Sequence, residues 1–183
     1  SADRQLPAKG MAVSEALLIS IRVDERRWEE LPVDVRDLCD SAVRASFASA
    51  AQGAYGEVSV LLTNDLAMRE FNLQYREKGE PTNVLAFSSG SRPVPCDAKA
   101  EPVLWGDIAI SFDRVEHEAK SEAKSIRDHI AHLVVHGTLH LLGFDHNEVR
   151  EAASMEKLEI ISLARLDVRD PYSMGANPGS LTL

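Results

Sequence analysis

HGTLHLLGFDH, His136 to His146, decides how this chain is read. Upstream, Ile126, Ile130, Val134 and Leu141 recur at helical spacing, which predicts a helix from Ser125 to Leu142. His136 and His140 then stand one turn apart, and both imidazoles can reach one ion at Zn–N distances near ~2 Å. All six histidines (117, 129, 132, 136, 140 and 146) fall between residues 117 and 146. His129, His132, His136 and His140 share the expected helix, within about 80° of one another on its surface. For any one of them the ordinary reading is a polar stripe satisfied by neighbours or water. Spacing selects which can act together. His132 and His140 are ~12 Å apart along the axis and cannot share an ion, so the helix offers two ligands at once.

A third ligand has to come from beyond the helix end, and Gly143 provides the route. Glycine takes the left-handed conformation that commonly ends a helix. The chain is then expected to reverse over Phe144 and Asp145 and return His146 to the pair. Three histidines with an open fourth position are a catalytic arrangement of zinc, whereas closed four-ligand sites are structural. The spacing also matches the metzincin proteases, HExxHxxGxxH, except at one residue. Their glutamate after the first histidine is the general base, and here that position is Gly137. A peptidase is therefore disfavoured. The ordinary purpose of Gly137, on the apolar side of the helix, is close packing of helix on sheet.

Working outward, LLISIRV (17–23), EVSVLL (57–62), NVLAF (83–87) and GDIAIS (106–111) read as strands. Helices are expected over about 32–51, from Asn64 as cap to about Tyr75, over 112–122, and over 148–166. Leu66, Phe71 and Tyr75 are the expected apolar members of the second helix. This order predicts one α/β domain, residues 13–172, with a small mixed sheet of about four strands. Helices pack on that sheet, and the metal site lies at the end of a central helix. Residues 1–12, polar and unpatterned, are expected to be a disordered extension or tag remnant, and 173–183 a flexible tail. The loop SSGSRPVPCDAKAEP is the longest and is expected to be the most mobile.

A chain of 183 residues with 44% apolar and 27% charged side chains is ordinary for a globular protein. Its two cysteines, Cys39 and Cys96, form no CxxC pair and fit a reduced, cytoplasmic protein. No segment approaches the ~18 apolar residues of a membrane helix. The net charge of −9 argues against a polyanion binder working through overall attraction, although a local basic patch remains compatible with it.

HGTLHLLGFDH closely resembles the signature of the YbeY family, bacterial endoribonucleases of ribosomal RNA maturation. YREKGEPTNVLAF (75–87) resembles that family's YRGKDxPTNVLSFP, WGDI (105–108) its LGDI, and ARLDVRDPY (164–172) its C-terminal end. The likeness runs from about Leu17 to Tyr172. It implies a metal-dependent, single-strand-specific RNase acting at the small-subunit RNA 3′ end and in ribosome quality control. It places one Zn2+ on His136, His140 and His146, with water or substrate as fourth ligand, and a functional arginine at Arg76. The chain departs from the pattern at Glu77, Gly79, Ala86 and Ser88. Glu77 lowers the positive charge beside the expected RNA cleft.

Phosphodiester hydrolysis needs a nucleophile and neutralisation of growing charge. A metal held by three histidines can supply both, and Arg76 can grip the scissile phosphate bidentately. Alone, Arg76 reads as a solvated helix end; the resemblance reverses that. Asp145 either orients a ligand histidine by accepting its N–H or caps the following helix. Arg69, Lys78 and Asn83 are further candidates for RNA contact, though Asn83 also suits a strand start. The expected partners are single-stranded RNA, a ribosomal RNA precursor, and ribosomal or assembly-factor proteins, with no membrane and no DNA. Three readings stay open: this RNase, a metallohydrolase of another substrate such as a degenerate peptidase, and an assembly factor with a structural metal. Histidine ligation does not separate zinc from nickel.

Overall fold

The computed structural model of the chain describes residues 17–75, 83–89, 104–145 and 148–173. The expected extension at 1–12, residues 90–103 of the long loop and the tail from 174 lie outside the described residues. Four strands, β1 (Leu17–Val23), β2 (Gly56–Thr63), β3 (Val84–Ser88) and β4 (Leu104–Ser111), form one mixed sheet in the order β1-β2-β4-β3. β1, β2 and β4 are parallel, and β3 runs antiparallel to β4. Parallel neighbours need long crossovers, usually helical. Accordingly α1 (Val35–Ala50) follows β1 and α2 (Asp65–Tyr75) follows β2, while α3 (Phe112–Ser121), α4 (Ile126–Leu141) and α5 (Val149–Ala164) come after β4. This is the small mixed α/β sheet that the strand pattern predicts.

Local chemistry sets the helix starts. Asp34 accepts from the amides of Arg36 and Asp37, both at 3.1 Å, so α1 begins at Val35, three residues later than expected. Asn64 Oδ1 accepts from Ala67 N at 3.1 Å and caps α2 as its position suggests. Ser125 does the same for α4.

α4 is the central helix. Ile130, Leu133, Val134, Leu139 and Leu141 are buried along it, and it packs on α1, α3, α5 and the strands β3 and β4. Ile108 and Ile110 of β4 share this core, whereas Ala109, the residue between them, faces the other way. On that far face α2 packs Met68 against Leu85 and Ala109. Of the apolar face expected of α2, Phe71 packs against this cluster, whereas Leu66 is 69% exposed and Met68 and Asn72 are buried in its stead. α2 covers only the β3–β4 side of that face.

A 3-10 turn, Arg26–Glu30, inserts Trp28 into the core, its indole N–H donating to Thr63 O at 2.9 Å. Glu25 caps this turn and accepts from Arg27 Nε (3.1 Å) and Asn64 Nδ2 (3.2 Å), which lowers its carboxyl to about 2. A carboxyl depressed in the folded state stabilises it above the ordinary value near 4.5, and that contribution is lost as pH falls from there towards 2. Thermal melts at about pH 5 and about pH 3 should therefore show a smaller drop for Glu25→Gln than for the parent. Equal drops would show that Glu25 does not carry this acid sensitivity.

Candidate functional site

The site is built at the last turn of α4. His136 and His140 face each other there, their Nε2 atoms 3.0 Å apart and their rings 4.6 Å between centroids at 79°. The helix then closes in a Schellman motif. Phe144 N donates to Leu139 O and Gly143 N to His140 O, both at 3.0 Å, with Gly143 at φ +92°. Phe144 packs back on the core, and half-buried Asp145 follows it. The glycine-ended helix and the start of the reversal thus match expectation. His146 lies outside the described residues, as do Arg76 and Lys78.

What fixes His136 is a carboxylate from α5. Glu159 is 1% exposed, and its Oε1 accepts from His136 Nδ1–H at 2.6 Å. His132 Nε2 stands 3.5 Å from the same oxygen, and the Tyr172 hydroxyl donates to Oε2. Burial alone would raise this carboxyl. The hydrogen bonds from His132, His136 and Tyr172 outweigh it and hold the group well below the usual carboxylate range. With its hydrogen on Nδ1, neutral His136 presents an Nε2 lone pair to His140.

Two imidazole nitrogens at 3.0 Å have to share a proton or a cation. Two ligands ~2.0–2.1 Å from one tetrahedral ion stand ~3.4 Å apart, so a small shift admits one. The donor set fits a borderline divalent ion: neutral imidazoles, one of them anchored on a carboxylate. Among the described residues no three His, Cys, Asp or Glu side chains gather to hold an ion.

The other histidines of α4 separate by partner. His129 Nε2 pairs with Glu118 of α3 at 2.7 Å, and Asn83 Nδ2 donates to the same carboxylate at 3.0 Å. The amide N–H of Asn83 is thus engaged, and its backbone carbonyl accepts from Ser111 N, which fixes the start of β3. Arg69 is exposed on α2, against the far face of the sheet, and is not brought together with the histidines. A cleft of about 610 Å3 on that face is lined by Ser20, Arg22, Ser59, Phe71, Phe87 and Asp107 among others. A smaller hollow of about 260 Å3, lined by Gly143, Phe144, Asp145, Arg150, Glu151 and Ser154, adjoins the end of α4. The N-cap position of α5 is occupied by Glu148, whose side chain makes no cap bond.

Glu159 and Tyr172 escape the sequence reading. One signal was available for Glu159: it stands on the buried stripe of α5 with Met155, Ser162 and Leu163, where a carboxylate is out of place. Tyr172 carries no comparable local sign.

Comparison with known proteins agrees with the architecture. The family model described as Endoribonuclease YbeY matches residues 20–167. A Rhodospirillum rubrum protein named Endoribonuclease YbeY is 41% identical over 161 residues, 84% of this chain and 80% of that one. A protein of the same name from Chelativorans is 41% identical over 165 residues, covering 90% and 99%. One from Azorhizobium caulinodans is 40% identical, covering 86% and 98%. A Thermotoga maritima protein with a solution structure shares the fold at a TM-score of 0.50 and 22% identity, covering 89% of this chain and 99% of that one.

Proposed function

The chain belongs to the endoribonuclease YbeY family, and on that premise we propose that it is a metal-dependent, single-strand-specific endoribonuclease. Its place would be maturation of the small-subunit ribosomal RNA 3′ end and ribosome quality control, in the cytoplasm. Residues 13–172 form its RNase domain. No helix among the described residues is long and apolar enough to cross a membrane. The observation that carries the reading is the pair of Nε2 atoms 3.0 Å apart, at the end of a helix that glycine closes.

In this reading one zinc ion is held by His136, His140 and His146. Such an ion supplies an acidified water and neutralises charge on a phosphoryl oxygen. The chain's own residues do the rest. Glu159 keeps the His136 hydrogen on Nδ1, so that Nε2 stays a lone-pair donor. Arg76 binds the scissile phosphate through two parallel N–H bonds that strengthen as charge grows. Lys78 remains a candidate for phosphate contact, as does Arg69, which lies on the exposed side of α2 away from the histidines, and Asn83 fixes the start of β3. Asp145 accepts from a ligand N–H. Ribosomal or assembly proteins would then bring an acidic enzyme to an anionic substrate.

The test is cleavage of single-stranded ribosomal RNA with and without a chelator, with an RNA duplex and casein alongside. Single strands alone should be cut, and only without chelator. Casein digested while RNA is spared would overturn the reading. Within the same assay Arg76→Ala should cut about 10²-fold more slowly, at unchanged metal content and melting temperature. Parent-like cleavage by that variant would remove Arg76 from the phosphate site.

A further inference from the structure

Beyond the ligands, we propose that Glu159 is the positioning residue of the metal centre and that Tyr172 and His132 hold it in place. The centre thereby extends into the segment after α5. The inference rests on the reading of His136 and His140 as metal ligands.

Three observations support it together. A carboxylate 1% exposed is costly unless fully bonded, and α5 surrounds this one with Met155, Ser162 and Leu163, a stripe that leucine would suit. Its retention there calls for a use that packing does not supply. Its shortest bond to the histidines is directed: Oε1 takes the Nδ1 hydrogen of His136 at 2.6 Å, which fixes both the tautomer and the ring plane.

The second oxygen shows how the carboxylate itself is held. Tyr172 donates to Oε2 from Asp170–Tyr172, a turn stapled by Tyr172 N to Asp170 Oδ1 at 2.8 Å. Its ring stands edge-on to His132 at 5.8 Å, and His132 Nε2 stands 3.5 Å from Oε1, the oxygen that also accepts from His136. Glu159, carried on α5, is thus gripped by His132 and His136 of α4 and by Tyr172 of the segment after α5. Loosening Tyr172 frees the carboxylate to rotate away from His136 without touching a ligand.

The experiment is competition of the full chain for zinc against a chromophoric chelator, paired with thermal melts of the metal-free protein. Removing the outer hydrogen-bond partner of a ligand histidine typically weakens metal affinity by ~10–100-fold. Glu159→Gln should show a loss of that size while still folding, with a metal-free melting temperature at or below the parent's, because the amide replaces a carboxylate that its hydrogen bonds hold ionised. Tyr172→Phe, a half-exposed site that tolerates the change, should show a smaller loss in the same direction. Parent-like zinc affinity in both variants would overturn the proposal and leave Glu159 a packing residue. Should Glu159→Gln fail to fold, Tyr172→Phe decides alone. A parent that binds no zinc would sink the metal reading itself, and this inference with it, whereas altered affinity in the variants is possible only if that reading holds.

Discussion

His140→Ala is expected to leave the protein without a bound divalent ion and to reduce RNA cleavage to background. His140 is half-buried at the last turn of α4, and its Nε2 faces that of His136 across 3.0 Å. Truncation removes one of two nitrogens that converge on a single point. The loss should exceed the ~10–100-fold that follows from disturbing a partner outside the ligand set. Stability should change little, because the side chain is partly exposed and the bonds closing the helix, Phe144 N to Leu139 O and Gly143 N to His140 O, are backbone bonds that alanine keeps. Elemental analysis of the purified variant decides it, with His117→Ala as control, since His117 is exposed on α3 away from the pair. Unchanged zinc stoichiometry in His140→Ala would refute the site.

Why the histidine helix was legible and other parts were not follows from how local each signal is. His136, His140 and Gly143 act through helix geometry and one left-handed residue, so spacing alone predicts their arrangement. The strands read well for a similar reason: Val58, Val60 and Leu62 alternate inward on β2, and turns bound each run. The face of α2 was legible only in part: Phe71 packs as its spacing suggests, but Leu66 and Met68 are equally apolar, and only the tertiary position of Ala109 and Leu85 decides which is covered. Trp28 lies in a 3-10 turn too short to show a period. Glu159 meets His136 across twenty-three residues of chain and Tyr172 meets His132 across forty, and no local pattern encodes such a meeting.

The same helix explains why the protease-type glutamate is missing, and it sets the second large effect. On α4 the position after His136 turns to the sheet. A Cβ at Gly137 would lie 3.0 Å from Ile108 Cγ2 and 3.3 Å from Val84 Cγ2. The expectation that Gly137 serves close helix-on-sheet packing is thus met, and a side chain there enters the core, away from the ion. Gly137→Glu combines overpacking, at about 1–3 kcal/mol, with a carboxyl buried among aliphatic side chains, at about 2–7 kcal/mol even when neutral. Against a total stability of about 5–15 kcal/mol, the variant should melt far below the parent or fail to fold. It should gain no activity on casein. Gly137→Ala, which brings only the tight Cβ against side-chain methyls and gains about 1 kcal/mol of helix propensity, should change stability far less and keep its metal. A Gly137→Glu protein that melts like the parent would show that α4 can lift from Ile108 and Val84. Casein digestion by that protein would return the peptidase reading to the front.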